Sequence, residues 1–195
     1  MISLDQLIEF TKFTHVFHHT GRVARIPGFD RYANAVEHSY QVTLLAWYLA
    51  VANDLPLDKD LVIKYALVHD TVEAYAGDTY AWDPEAVATK AAREENARKK
   101  LEQTFPEFPD LHNLLERYEK REDKESRFVY ALDKIIDPLN IYLEDGKLWN
   151  EAKLSLEEIR QFKDPRIAVC KDVEKYWLEL TAIFKEREEQ LFEKR

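Results

Sequence analysis

Cysteine, glycine and positive charge are all scarce in this chain of 195 residues. The single cysteine, Cys170, excludes an intrachain disulfide and suits a reducing compartment, so a cytoplasmic setting is expected. It falls in an apolar helical pattern, which reads as a core thiol rather than a nucleophile. Four glycines leave few positions for tight turns, and no strict two-residue alternation stands out. Both features disfavour a sheet. No apolar run approaches the ~20 residues of a membrane span. No signal peptide is visible in the amphipathic start, where Asp5 and Glu9 come early. Lysine and arginine number 28 against 37 acids, a net charge of −9. That balance argues against a nucleic-acid polymer or an anionic membrane as partner. A small nucleotide held by a local cation and a metal stays open. Also missing are a Ser/His/Asp or Cys/His nucleophile set, a phosphate-binding Walker loop and a dinucleotide glycine fingerprint.

What is present is helical. Hydrophobic residues make up 46% and charged residues 33%, a globular balance with length enough for one domain and a sizeable core. No repeat or linker divides the chain, so a single all-α domain over 1–195 is expected. Apolar periodicity predicts helices over 3–18, 35–53, 85–104, 122–144 and about 154–162. A further helix runs from an Asp58 N-cap to a stop at Gly77, and a short one starts near Leu111. Pro165 opens a last amphipathic helix through Ile167, Cys170, Val173, Trp177, Leu180 and Phe184. Pro138 should kink its helix, because it cannot donate to the carbonyl of Lys134. Trp177 and Phe192, read as exposed, predict a self-association face and a homo-oligomer, dimer or larger. Residues 20–36 read as the longest irregular stretch.

The chemistry concentrates in Tyr65-Ala-Leu-Val-His-Asp-Thr-Val-Glu-Ala-Tyr-Ala-Gly-Asp78, which puts His69, Asp70, Glu73 and Asp78 on an otherwise buried helix. Glu73 lies four residues after His69 and three after Asp70, so it shares their side. An unpaired buried carboxylate costs several kcal/mol or more, so a divalent cation is the economical partner. His38 shares a stripe with Val42, Leu45 and Leu49, and two neighbouring helices can bring it to His69-Asp70. A structural core histidine is the alternative. Asp133 interrupts the core stripe Val129, Ile136, Asn140 with a charge, and Asp137 shares its side. His15, His18 and His19 have no acid partner nearby in sequence and read as surface residues. Arg22, Arg25 and Arg31 are a local basic excess, suited to phosphate or to surface acids. Tyr80 and Trp82 either stack on a base or cover the core.

His38, His69-Asp70 and Asp133, in that order on core helices, resemble the H…HD…D signature of the HD-domain metal-dependent phosphohydrolases. Glu37-His38-Ser39 and His69-Asp70-x-x-Glu73-x-x-x-Gly77-Asp78 are similar to the corresponding runs of bacterial 5′-deoxynucleotidases of the YfbR type. The resemblance covers about residues 20–145; residues 150–195 match only as helix. It implies an HD-domain helical bundle holding one divalent ion on His38, His69, Asp70 and Asp133, with Co, Mn, Zn, Fe, Ni and Mg indistinguishable. It implies that Glu73 orients the attacking water, that Asp78 closes the site over the sugar or assists that water, and that Arg22 grips phosphate. Where the family has Arg-Trp this chain has Arg22-Val23, which makes Arg25 a competitor. The segment after Asp78 departs as well, with Trp82 and Lys90 as substrate-side candidates. The activity implied is hydrolysis of the 5′-phosphoester of a deoxynucleotide, with a monophosphate as substrate. The alternatives are a deoxynucleoside triphosphate substrate releasing triphosphate, a nucleotide phosphodiesterase, and a non-catalytic scaffold stabilised by its metal.

Overall fold

The computed structural model describes residues 1–192. The expectation for 193–195 lies outside the described residues. Helix α1 (Leu4–His18) leads into a short antiparallel hairpin, β1 (Gly21–Arg25) and β2 (Tyr32–Asn34), with Gly21 opposite Asn34 and Arg25 opposite Tyr32. Helices α2 (Ala35–Ala52), α3 (Lys59–Val68), α4 (Glu73–Ala76), α5 (Pro84–Thr104) and α6 (Pro109–Lys120) follow. Then come α7 (Lys124–Leu143), α8 (Lys147–Glu151), α9 (Leu156–Ile167), α10 (Lys171–Glu186) and α11 (Glu188–Leu191). The hairpin corrects the reading of 20–36 as irregular. Gly28, at φ +81°, makes the reversal that a side chain would resist.

Helix starts follow the caps written in the sequence. Asn34 and Glu37 form a reciprocal capping box on α2, Asp123 and Ser126 on α7, Ser155 and Glu158 on α9. Helix α7 is the axis. It packs against α2, α3, α6, α8, α9, α10 and β1. Accordingly it is buried on several faces, from Phe128 and Leu132 to Ile135 and Ile141. It runs on through Pro138, which is buried in it. The main core gathers α2, α3, α7, α9 and α10, and a second one joins Phe13 of α1 to Leu101, Phe105, Leu111 and Leu115.

Three expectations need correction. The helix entered at Asp58 does not reach Gly77. Its four-residue ladder ends with His69 N–H bonded to Tyr65, and Thr71 and Glu73 then bond back three residues, to Val68 and Asp70. The Thr71 hydroxyl also donates to the Val68 carbonyl at 2.7 Å, competing with the ladder. Pro165 lies in the last turn of α9 rather than at a helix start, and Cys170 is the N-cap of α10. Trp177 and Phe192 are 1% and 6% exposed. Trp177 donates from Nε1 to Asp164 at 2.6 Å, and Phe192 stacks on Trp149 with centroids 4.9 Å apart. Neither forms an outer face. No helix among the described residues is long and apolar enough to cross a membrane.

Candidate metal centre

Four separate elements aim polar side chains at one point beside α7. His38 comes from the first turns of α2 and Asp133 from the middle of α7. His69 caps α3, and the tight turn after it swings Asp70 to the same side. One ligand-type atom from each of His38, His69, Asp70 and Asp133 can be chosen so that all lie within 4.8 Å of one another. His38 Nε2 is 3.0 Å from Asp133 Oδ1 and 3.5 Å from Asp70 Oδ2. His69 Nε2 is 3.2 Å from that Asp70 oxygen and 3.4 Å from His38 Nε2.

These donors fit a divalent ion. The Nδ1–H of His69 donates to the Ala66 carbonyl at 2.9 Å, which leaves Nε2 facing the cluster. That outer hydrogen bond is the usual device for orienting a ligand imidazole. Two imidazole nitrogens and two carboxylates are a mixed set suited to a first-row divalent metal. The local field also asks for positive charge. Burial disfavours a charged His69, yet Asp70 and Asp133 outweigh it and push its pKa up to about 10. Burial likewise opposes ionised Asp70 and Asp133. The His69 imidazole overcomes it for Asp70, and Lys134 with the two imidazoles for Asp133, holding both below the usual carboxylate range.

Glu73 and Asp78 lie beside the cluster and differ from it electrostatically. Burial first, then Asp70 and Asp78, pushes the Glu73 carboxyl well above its ordinary range against the pull of Arg22. Burial raises Asp78 too, opposed by Arg22. Arg22 threads among these acids. Its Nη1 is 3.0 Å from Asp70 Oδ2 and 3.8 Å from Glu73 Oε2, and its Nη2 is 3.5 Å from Asp137 Oδ2. Glu73 Oε2 and Asp137 Oδ1 are buried with no hydrogen-bond partner among the described residues. Arg22, His69, Asp70, Glu73, Asp78, Asp133 and Asp137 line one cavity of about 430 Å³.

The other sequence candidates sit further out. Arg25 points away from the cluster: it pairs with Asp30 and Glu151, 3.5 and 3.4 Å away, and stacks on Tyr32. Arg22 therefore stands alone at the centre of the two competitors. Trp82 lines the cavity against Phe162, ring centroids 5.3 Å apart, and Lys90 lines it while paired with Glu94 at 3.4 Å. His15, His18 and His19 are exposed, as read. Sequence reasoning missed Lys134, whose Nζ is 2.5 Å from Asp133 Oδ2, and Lys163 of α9. It placed Asp137 on the right side of α7 without giving it a partner. Only Lys134, next in sequence to Asp133, carried a local signal.

Several known proteins are similar to this chain. The 5′-deoxynucleotidase HDDC2 of Mus musculus is 32% identical over 123 residues, covering 58% of this chain and 60% of the mouse protein. The Bos taurus protein of the same name is 37% identical over 100 residues, covering 50% of this chain and 47% of its own. The chain thus spans about half to three fifths of the length of the curated relatives it matches. A solved structure described as a predicted metal-dependent phosphohydrolase from Magnetospirillum magnetotacticum superposes with a TM-score of 0.79 at 27% identity, covering 96% of this chain and 97% of that one. The family model for the HD domain matches residues 19–176, and the chain belongs to the HD domain family.

Proposed function

We propose that this chain is a metal-dependent 5′-nucleotidase that hydrolyses deoxynucleoside 5′-monophosphates to nucleoside and inorganic phosphate. The observation that carries the reading is the meeting of His38, His69, Asp70 and Asp133 at the wall of a cavity that His69, Asp70 and Asp133 line together with Glu73 and Arg22. The relatives named as 5′-deoxynucleotidases and the structural neighbour named as a metal-dependent phosphohydrolase support it. One divalent ion on those four side chains would supply Lewis acidity toward a phosphoryl oxygen and toward water. The other roles belong to the chain. Arg22 holds phosphoryl oxygens as charge shifts onto them. Glu73, which burial pushes well above the ordinary glutamate range, is a stronger base than an exposed carboxylate; in its ionised form it takes a proton from the attacking water and returns it to the departing 5′ oxygen. The water oxygen forms the new bond to phosphorus as the bond to the 5′ oxygen breaks. Asp78 supports the water or the sugar, while Trp82 and Lys90 are substrate contacts at the cavity wall. The residues form one HD-type domain over 1–195, and the single thiol fits a cytoplasmic setting.

The test is product analysis from dAMP and dATP with Co, Mn, Ni, Zn and Mg added in turn. Deoxyadenosine and inorganic phosphate from dAMP are expected. Free triphosphate from dATP, with dAMP untouched, would replace the reading by triphosphohydrolysis. No turnover of any nucleotide with any of these ions would leave a metal-stabilised scaffold.

We also propose self-association, now through α2. Tyr40, Leu44, Trp47, Tyr48 and Val51 are exposed along one stripe of that helix. Sedimentation of the wild type should give a dimer or larger, and Trp47→Glu should shift it to monomer. A monomeric wild type at micromolar concentration would refute the proposal.

A further inference from the structure

Helix α9 carries none of the H…HD…D signature residues, yet it reaches the cavity. Its inward stripe reads Ile159, Lys163, Ile167, one residue every four. Ile159 and Ile167 are 2% and 0% exposed, so Lys163 occupies a core position flanked by buried isoleucines. Its side chain lines the cavity that holds the metal-type cluster.

The other cations lining that cavity have protein partners. Arg22 pairs with Asp70, Glu73 and Asp137, Lys90 with Glu94, Arg98 with Glu95 and Glu102, and Lys134 with Asp133. Arg166 donates to the Phe162 carbonyl and lies 3.8 Å over that ring, and Arg121 lies 4.7 Å over Tyr130. Lys163 makes no ion pair and no hydrogen bond among the described residues, and its Nζ is 5.9 Å from the Phe162 centroid. A lysine free to snorkel would carry its ammonium out to water. This one lines the same cavity as Asp137, Lys134, Asp133 and Arg22, whose charges act on it. Two of those four are cations. The other two are acids that already pair with those cations, Asp133 with Lys134 at 2.5 Å and Asp137 with Arg22 at 3.5 Å, so the Lys163 ammonium lacks an oxygen acceptor among the described residues, and a phosphate oxygen supplies one.

We propose that Lys163 is a phosphate-binding residue, an ammonium delivered by α9 that grips the substrate's phosphoryl oxygens together with Arg22 and Lys134. The inference rests on the nucleotidase reading and extends it to a helix outside the signature. Burial lowers the affinity of Lys163 for its proton, to a pKa of about 8, against the opposing pull of Asp137, so near neutral pH the group is still charged and gains from a nearby anion.

The probe is inorganic phosphate, titrated calorimetrically into Mn-loaded protein for wild type, Lys163→Met, Lys163→Gln and Lys163→Arg, with metal content and melting temperature measured on each. Loss of one charged hydrogen bond should weaken phosphate binding on the order of 10- to 100-fold in Lys163→Met and Lys163→Gln, with partial recovery in Lys163→Arg. Deoxyadenosine affinity should not change. Phosphate binding at wild-type strength in a folded, metal-loaded Lys163→Met or Lys163→Gln protein would overturn the proposal. So would a loss confined to deoxyadenosine, or wild-type protein that binds no phosphate. Turnover is not part of this titration. A wild type that binds phosphate through Lys163 but hydrolyses no nucleotide would sink the nucleotidase reading alone. An active wild type whose Lys163 variants bind phosphate normally would sink only the inference.

Discussion

His38 Nε2 and Asp133 Oδ1 stand 3.0 Å apart although 95 positions separate them in the chain. Helices α2 and α7 must pack in one register for this to happen; the two are in contact, and Val42 and Ala46 of α2 are buried in the same core as Val129, Leu132 and Ile136 of α7. Asp133→Ala removes an oxygen from the cluster and leaves Lys134 without its carboxylate. Elemental analysis should find metal falling from about one per chain to near none. Full occupancy in a folded Asp133→Ala protein would contradict the assignment of Asp133 as a ligand.

Glu73 lies next to the ligand-type atoms without being one of the four. Glu73→Gln keeps the shape and removes the proton acceptor. Metal content should stay at the wild-type level while turnover of the best nucleotide drops by roughly 10²–10⁴. Unchanged turnover with the metal still bound would exclude Glu73 from the chemistry.

Lys163 gives a pH dependence with a definite sign. Its pKa in the folded protein is lowered to about 8, so the ammonium is present below that pH and lost as pH rises through it. Asp137 and Asp133 pull the value up, and Lys134 and Arg22 push it down. For wild type, kcat/KM should therefore fall above about pH 8, as KM rises. Lys163→Arg, which stays protonated throughout, should carry the falling limb to higher pH. A limb that does not move in Lys163→Arg belongs to another group.

Gly146 sits between α7 and α8, and the reason it is glycine lies forty-five residues away in sequence. Its φ is +75°, and a Cβ there would sit 2.2 Å from the Leu191 carbonyl oxygen of α11. Gly146→Ala must therefore adopt a left-handed conformation and also displace backbone. Urea unfolding should show a loss of about 2 kcal/mol or more, beyond the ~1–2 kcal/mol of the conformation alone. A midpoint equal to wild type would mean that α11 does not dock as seen.

Much of the fold was readable because helix signals are local. The expected spans of α2, α5 and α7 fall within two residues of Ala35–Ala52, Pro84–Thr104 and Lys124–Leu143, set by apolar period and by caps such as Asn34 and Asp123. The break after His69 was hidden, since a turn closed by three-residue hydrogen bonds preserves nearly the same apolar face as one more turn of α-helix. The hairpin escaped because five residues of β1 against three of β2 are too short to show alternation. Trp177 and Phe192 were misjudged because an amphipathic pattern marks a face without saying what covers it.

The sequence by itself determined an acidic, helical chain and the residue types of a metal cluster, since periodicity, capping and the H…HD…D order need no knowledge of what packs where. Tertiary structure alone decided that Arg22 rather than Arg25 meets the acids, and that Asp137 shares Arg22. It also decided that a lysine from α9 joins them. Those outcomes depend on how β1 and α9 dock against α7, and docking is set by the summed shape of buried side chains far apart in the chain.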